Sequence, residues 1–516
     1  MENKRSSWGS NIGFLLAAIG SAVGLGNIWG FPFKMGKSGG FTFLLVYLLL
    51  AVFVGMIIMV SELAVGRKTK LSPIDAYQKI SKKFKWIGWL ATIAPFMIMT
   101  FYSVLGGYCL QYIALNLSEL SFGGEQIAIS GSAAFTAIRT QPFGAVVFTA
   151  FFMILCMVIV QGGVDSGIEK FNKVGMPALF VMLLIVIIRS LTLPNAVEGL
   201  KFMFVPGYAV AAGYVSEAPD LITVLGTAGG QMFFSLSLAM GAILTYGSYL
   251  GKEENLVKNS VIIVSADTLI AIMAGIAVIP ASVSYGMAQG LSPAEIAGGL
   301  GGPGLLFVTL QDVFANMGKI GPLFGTIFYS LVLIAAISSA ISLIETVSAH
   351  WIDKDLEKGE TDTRKRIVLI VSLLIMIPAA LVAADGLGKS SFTPAALMGI
   401  QGSVPDVIAD WLDFMDTWSE YLMMPLGAML MALMIGWELD PSVVLDEVAH
   451  GDKSEGFKKF YSLCVKFIVP VVMAFVLAGS LKGNCGGSAI MWYIIAGIVL
   501  VGFWIFAAVG KKKAAE

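Results

Sequence analysis

Oxygen-bearing side chains and glycines set inside long apolar runs are the groups in this chain whose types and spacing could do chemistry. The run Gly20-Ser21-Ala22-Val23-Gly24-Leu25-Gly26-Asn27 places three glycines, a serine and an asparagine in one apolar segment. Glycine lowers the cost of unwinding a helix, and freed backbone groups are tolerable inside a bilayer only when protein or a ligand satisfies them. Ser235-Leu236-Ser237-Leu238-Ala239-Met240-Gly241 repeats the pattern with two hydroxyls and a glycine, while Asp267 and the Ser338-Ser339 pair add a carboxylate and further hydroxyls on other runs. Buried in a membrane such groups are costly unless paired or functional, and their oxygens suit a hard cation. Asp267, nine residues after Lys258, also fits a loop position just outside the membrane. Any one glycine has an ordinary use in close helix packing, so the clustering carries the argument.

Other chemistries lack their residues. The two histidines, His350 and His450, and the four cysteines, Cys109, Cys156, Cys464 and Cys485, are scattered without metal-ligand or CxxC spacing. Gly30 to Ser38 imitates a P-loop with the wrong spacing, Phe31 standing where a glycine is needed. Gly299-Leu300-Gly301-Gly302-Pro303-Gly304 satisfies GxGxxG but follows no strand, so a loop turn is expected. No GxSxG with a histidine partner, HExxH or HRD set is present. Thirty-three Lys plus Arg against 34 Asp plus Glu leave a net charge of -1, with no basic excess for nucleic acid.

The elements that position these residues follow from composition. With 57% hydrophobic and 13% charged residues the chain reads as an all-α membrane protein. Runs of about 20 apolar residues predict twelve transmembrane helices: 11–36, 41–65, 87–115, 143–162, 175–193, 225–250, 258–284, 321–352, 365–384, 411–437, 457–481 and 489–510. Segments 203–216 and 291–313 are too interrupted to span. Most Lys and Arg fall on the side of the N-terminus, including Arg67, Lys68, Lys70, Lys79, Lys82, Lys83 and Lys85 in one loop and Arg364, Lys365 and Arg366 in another. The bias predicts a plasma (inner) membrane protein with both termini cytoplasmic, and the start Met-Glu-Asn-Lys-Arg leads into no cleavage site. Breaks in the first and sixth spans are equivalent if ten helices form a 5+5 inverted-repeat core with helices 1 and 6 unwound at mid-membrane. The division is a gate segment 1–10, a core 11–437 (repeats 11–193 and 225–437), and peripheral helices 438–516.

Ala22-Val23-Gly24-Leu25-Gly26-Asn27-Ile28-Trp29 with Phe31-Pro32, Ser61-Glu62-Leu63-Ala64-Val65-Gly66-Arg67, Gln231-Met232-Phe233-Phe234-Ser235-Leu236-Ser237 and Ala335-Ala336-Ile337-Ser338-Ser339 carry a resemblance. On them the chain resembles the neurotransmitter:sodium symporter family, in its bacterial amino-acid-transporting branch. The resemblance implies coupled uptake of an L-amino acid with sodium ions by alternating access. It implies a first sodium site of the Ala22 carbonyl, Asn27, Ser235, Asp267 and the substrate carboxylate, and a second of the Gly20, Val23 and Ala335 carbonyls with Ser338 and Ser339. Amides of Leu25 and Gly26 and the Tyr102 hydroxyl would hold the substrate carboxylate. Carbonyls of Ala22, Phe234 and Ser237 would accept from its ammonium. Gly24 stands where monoamine transporters carry an Asp, which implies a substrate bringing its own carboxylate. Ile98, Tyr102, Phe234, Met240, Ser339 and Leu343 would line the side-chain pocket, favouring hydrophobic or aromatic amino acids.

Chloride-dependent members use Tyr, Gln and Ser side chains, of which Tyr47, Gln231 and Ser235 survive. Ala271 replaces a further serine, and Asp267 stands where those members have Asn, so chloride independence is expected. The resemblance implies an inner gate of Arg5, Trp8 and Asp353, with Ser248, Tyr249 and Glu345 nearby. At the outer gate Gly30 replaces the family's Arg while Asp416 keeps the acidic place. Lys34, one turn further out, is the candidate substitute, and Tyr102 over Phe234 is the remaining lid. Two other readings stay open: a non-cycling amino-acid sensor on the same scaffold, and a transporter of a non-amino-acid osmolyte.

Overall fold

Long apolar stretches bounded by Gly, Pro and charge become helices because a helix satisfies its backbone N–H and C=O groups within one segment. The computed structural model of the protein describes residues 7–121, 131–300, 302–360, 363–400, 404–451 and 454–509. Among these every regular element is helical. In chain order the elements used below are α1 (Asn11–Ala22), α2 (Gly26–Lys37), α3 (Phe41–Thr69), α4 (Ile87–Leu120), α5 (Pro142–Gln161), α6 (Val164–Leu191) and α7 (Leu221–Ser235). They continue with α8 (Ala242–Ser248), α9 (Leu256–Ala288), α10 (Gly318–Glu357), α11 (Arg364–Asp385), α12 (Trp411–Glu438), α13 (Glu455–Gly483) and α14 (Ala489–Ala508).

Ten of the described helices are long and apolar enough to cross a membrane, and the pair α1 and α2, bent by 46° at its break, makes an eleventh. The sixth expected span, 225–250, takes the form of two short helices, α7 and α8, on either side of Leu236–Gly241. The expected start at 175 is corrected to Val164. Gly163, at φ 89°, ends the preceding helix, and Asp165, Glu169, Lys170 and Lys173 ride on the first turns of α6. The interrupted segments hold short helices, Ala196–Phe204, Tyr208–Ala211, Pro293–Gly299 and Leu305–Ala315. The GxGxxG stretch runs between the last two, with Gly301 outside the described residues.

α10 runs along α4 and α6, and α1 lies against α6, α9 and α10. α8 packs on α3. α7 packs along α13 at glycines: a Cβ on Gly226 would run into the backbone of Gly479. α13 thus backs a helix of the site, whereas α14 leaves Ile490, Ile498 and Ile505 exposed. The arrangement brings the two breaks together in the interior.

Candidate ion and substrate site

α1 stops at Val23, whose backbone is extended (φ -75°, ψ 98°), and the chain turns helical again in a π-helical turn at Gly26–Gly30. Asn27 braces the gap, its Oδ1 accepting from the Gly24 amide at 3.0 Å. Beyond α7, Ser237 and Ala239 have φ of 53° and 59°, values unfavourable for residues with a side chain. Two contacts hold them: the Ser237 hydroxyl donates to the Ser21 carbonyl at 2.7 Å, and the Ala239 amide donates to Glu62 Oε1 at 3.1 Å. The two breaks are therefore bonded directly to one another.

One oxygen cluster forms where α2, α7 and α9 meet. The Asn27 amide donates to Asp267 Oδ1 at 2.7 Å and to Ser235 Oγ at 3.0 Å, and Ser235 donates to Asp267 Oδ2 at 2.9 Å. Tyr47 reaches both Ser235 and Asp267 at 3.4 Å. Asn27, Ser235 and Asp267 are completely buried. The second cluster lies between α1 and α10. Ser338 donates to the carbonyls of Ala335 (2.8 Å) and Val23 (3.3 Å), and Ser339 to those of Ser21 (3.0 Å) and Gly20 (3.4 Å). Among the described residues no three His, Cys, Asp or Glu side chains converge. Cation chemistry therefore rests on carbonyls, hydroxyls and one carboxylate, beside an Asn27 amide that turns its Nδ2 to Asp267 and Ser235, an oxygen-rich set that fits a hard monovalent ion rather than a thiophilic metal.

A small cavity opens beside both clusters. Ala22, Gly24, Gly26, Ile98, Tyr102, Phe234, Ser237, Met240, Ser339 and Leu343 line it, with Ser21 as an addition, while Leu25 and Ser235 lie just outside the lining. The Tyr102 hydroxyl accepts from the Leu25 amide at 3.0 Å, so the amide expected to meet a carboxylate points at the phenol that would share the task. Gly24 sits between hydroxyls: an added Cβ would collide with Ser339 Oγ and stand 2.5 Å from the Tyr102 oxygen. The Tyr102 and Phe234 rings are 6.3 Å apart and form one wall.

On one side of the cavity Lys34 pairs with Glu420, both deeply buried, and its ammonium stands 6.0 Å from the Phe234 ring and 5.5 Å from that of Tyr421. Asp416 lies one turn earlier on α12, so the direct partner of Lys34 is Glu420. The place of Gly30 is filled by Gln231, whose Nε2 donates to the Gly26 carbonyl at 2.7 Å. On the other side Trp8 donates to the Tyr246 carbonyl at 3.1 Å and meets the rings of Phe14, Tyr246 and Tyr249. Tyr249 donates to Glu345 at 2.7 Å, and Arg364 pairs with the same carboxylate. Asp353 accepts from the Ser72 amide at 2.8 Å, and Arg5 lies outside the described residues.

A family model described as "Sodium:neurotransmitter symporter family" matches residues 5–125 and 138–485, nearly the whole chain. The chain belongs to this family. It is a sodium-dependent transporter and not an enzyme. Among its relatives, the sodium-dependent transporter YhdH of Bacillus subtilis (strain 168) is 34% identical over 92% of this chain and 97% of its own. A sodium-dependent transporter of Haemophilus influenzae (strain ATCC 51907 / DSM 11121 / KW20 / Rd) is 30% identical over 93% of this chain and 98% of its own. Among solved structures, MhsT in complex with L-phenylalanine superposes with a TM-score of 0.78 at 34% identity, covering 92% of this chain and 100% of that one. The family's fold is thereby that of this multi-pass membrane protein.

Several residues of this symporter's interior escaped sequence reasoning. Ser21 stands in the glycine run yet signals nothing by itself, although its carbonyl accepts from both Ser237 and Ser339. Glu62 was legible only as part of a motif. Arg364 read as one of a cluster of cytoplasmic cations, and Glu420 was not singled out, the acidic place of the outer gate being given to Asp416. A buried acid in an apolar run is the one signal that could have flagged Glu62.

Proposed function

We propose that the protein is a secondary active symporter that imports a zwitterionic, hydrophobic or aromatic L-amino acid, with two sodium ions per substrate and no chloride requirement. The observation that carries this reading is the meeting of two unwound helices at a small cavity flanked by two oxygen-rich clusters. In it, Ala22, Asn27, Ser235 and Asp267 hold one sodium ion beside the substrate carboxylate. Gly20, Val23, Ala335, Ser338 and Ser339 hold the other. Amides of Leu25 and Gly26, at the start of a helical segment, favour the carboxylate, and Tyr102 adds a hydroxyl donor. Carbonyls of Ala22, Phe234 and Ser237 accept from the ammonium. Ile98, Phe234, Met240 and Leu343 take the side chain, Met240 adapting to its shape. Solved with L-phenylalanine, MhsT supports the substrate class.

The broken pair α7 and α8 serves as one span, which makes twelve, with repeats over 11–193 and 225–437 and both termini cytoplasmic in the plasma (inner) membrane. Residues 1–10 act as the inner gate segment and 438–516 as the flanking helices. The outer path closes by the Lys34–Glu420 pair, assisted by Asp416, over the lid of Tyr102 and Phe234. The inner path closes by Trp8, Tyr249, Glu345, Arg364 and Asp353, with Arg5 joining Asp353. Asp267 supplies in fixed form the negative charge that chloride brings elsewhere. Two sodium ions entering with a net-neutral zwitterion gain about 4.6 kcal/mol per 100 mV.

The test is uptake of labelled L-amino acids into proteoliposomes under an inward sodium gradient, compared with potassium, each with and without chloride. Sodium-driven accumulation of aromatic or branched amino acids, indifferent to chloride, is the expected result. Sodium-promoted binding in detergent without accumulation in competent vesicles would overturn transport in favour of a sensor.

A further inference from the structure

The cytoplasmic ends of α10 and α11 enclose a surface groove of about 780 Å³ whose chemistry changes along its length. Its floor is apolar: Trp351, Ile370 and Leu374, each about half exposed, line it with Ile367 and Val371. Its mouth is charged. Lys358 and Arg366 approach Asp355 at 3.6 and 3.4 Å, Arg366 approaches Glu360 at 3.6 Å, and Lys354 approaches Glu357 at 3.2 Å. Lys358 and Arg366 are about two-thirds exposed, at 66% and 64%, and Glu360 about half, while Asp355 between the two cations is mostly covered, so the cations and Glu360 are open to a ligand. From Arg366 to Leu374 the helix rises about 12 Å, which carries the groove from headgroup level into hydrocarbon.

The contrast with the rest of the surface is informative. Two other grooves run along α14, one lined by Ile494, Ile498 and Ile505 and one including Trp86, Phe503 and Phe506; neither lining holds a charged side chain, and Lys83, the cation seen beside them among the described residues, is engaged at the Phe506 ring and carbonyl. Those surfaces suit any acyl chain. At the α10–α11 groove, Lys354, Lys358, Arg366 and Asp355 line the mouth, and Glu357 and Glu360 adjoin it as ion-pair partners of Lys354 and Arg366. A purely anionic headgroup there would face Asp355, Glu357 and Glu360 as well as the cations. A head carrying both signs satisfies both, and a primary ammonium can donate hydrogen bonds to carboxylates where a quaternary one cannot.

We propose that this groove binds one zwitterionic aminophospholipid, with its phosphate on Lys358 and Arg366, its primary ammonium on Asp355 and Glu360, and an acyl chain along Trp351, Ile370 and Leu374. The same turn of α10 holds the inner gate. His350, on the groove wall, contacts Asp75 at 2.7 Å, and Asp353 accepts from Ser72, so a bound lipid braces this end of α10. The proposal needs only the membrane location and not the transport cycle.

The full-length protein in phosphatidylcholine nanodiscs, doped with a chain-brominated lipid, tests it through quenching of Trp351, read as the difference between wild type and Trp351→Phe. Brominated phosphatidylethanolamine is expected to quench at a mole fraction roughly threefold to tenfold lower than brominated phosphatidylglycerol or brominated phosphatidylcholine, the size expected of two exposed ion pairs. Lys358→Ala with Arg366→Ala, both surface changes, should abolish that preference while leaving the elution profile and melting temperature unaltered. Equal quenching by the three lipids, stronger quenching by phosphatidylglycerol, or a preference that survives the double substitution would each overturn the assignment. Loss of transport with the lipid preference intact would count against the symporter reading alone.

Discussion

Gly24 acts through the side chain it lacks. Its Cα lies where the Tyr102 and Ser339 hydroxyls converge, and a single added carbon has no room. Overpacking of this kind costs about 1–3 kcal/mol. Gly24→Ala should therefore weaken sodium-dependent binding of labelled amino acid to the purified protein by roughly tenfold or more, with an unchanged elution profile showing that the fold survives. Asp267 is argued from charge. It is completely buried, with Asn27, Ser235 and Tyr47 as its polar contacts. Asp267→Asn keeps the shape and removes the charge, so sodium-driven uptake in chloride-free medium should fall by about tenfold, as for loss of a charge-assisted contact. Chloride should restore part of it. Undiminished chloride-free uptake by the variant would reject the fixed-anion role.

At the scale of elements, the break between α7 and α8 is held open rather than merely allowed. Ser237 and Ala239 keep positive φ at a cost of order 1–3 kcal/mol each, offset by the Ser21 carbonyl and the Glu62 carboxylate. Glu62→Ala orphans the Ala239 amide, a loss of about 1–3 kcal/mol, and should lower the melting temperature and abolish substrate binding. Glu62→Gln retains an acceptor and should keep most of both. α7 is also anchored at its start, where Asp220 accepts from the Thr223 amide at 3.1 Å and pairs with Lys482 of α13 at 2.6 Å. Burial pushes the Asp220 carboxyl upward, but Lys482 and Thr223 outweigh it and hold it below its ordinary 3.8. Its contribution is thus complete above the ordinary carboxylate range and is lost as pH falls through the lowered value. Asp220→Ala should cost about 1 kcal/mol at pH 7, and the difference in melting temperature from wild type should shrink only below about pH 4.

For the whole molecule, the proposed outer gate is an ion pair between distant parts of the chain. Lys34 and Glu420 are 386 residues apart in sequence, and both are buried, so removing one leaves a charge without its partner. Such a loss costs about 3–5 kcal/mol. Lys34→Ala and Glu420→Ala should each suppress uptake, and the reversal Lys34→Glu with Glu420→Lys should recover a measurable part of it. No recovery, with all variants folded, would show that the pair is not the outer gate. Glu420 lies four residues after Asp416, on the π-helical turn Thr417–Met423, so both carboxylates share one face of α12.

Sequence by itself determined the solvent, the helical class and the positions of both breaks, because hydropathy and glycine content act locally, over a turn or a span. It also marked Asn27, Ser235, Asp267, Ser338 and Ser339 as a set, since polar groups in apolar runs demand partners wherever the chain goes. Tertiary structure decided which partners those are. The bond from Ser237 to Ser21, the grip of Glu62 on Ala239, the Lys34–Glu420 pair and the Tyr249–Glu345–Arg364 cluster each join elements far apart in the chain or around a bend. Their geometry follows from how bent helices pack, and a hydrogen bond or ion pair at 3 Å depends on helix phase and bend that no local pattern encodes.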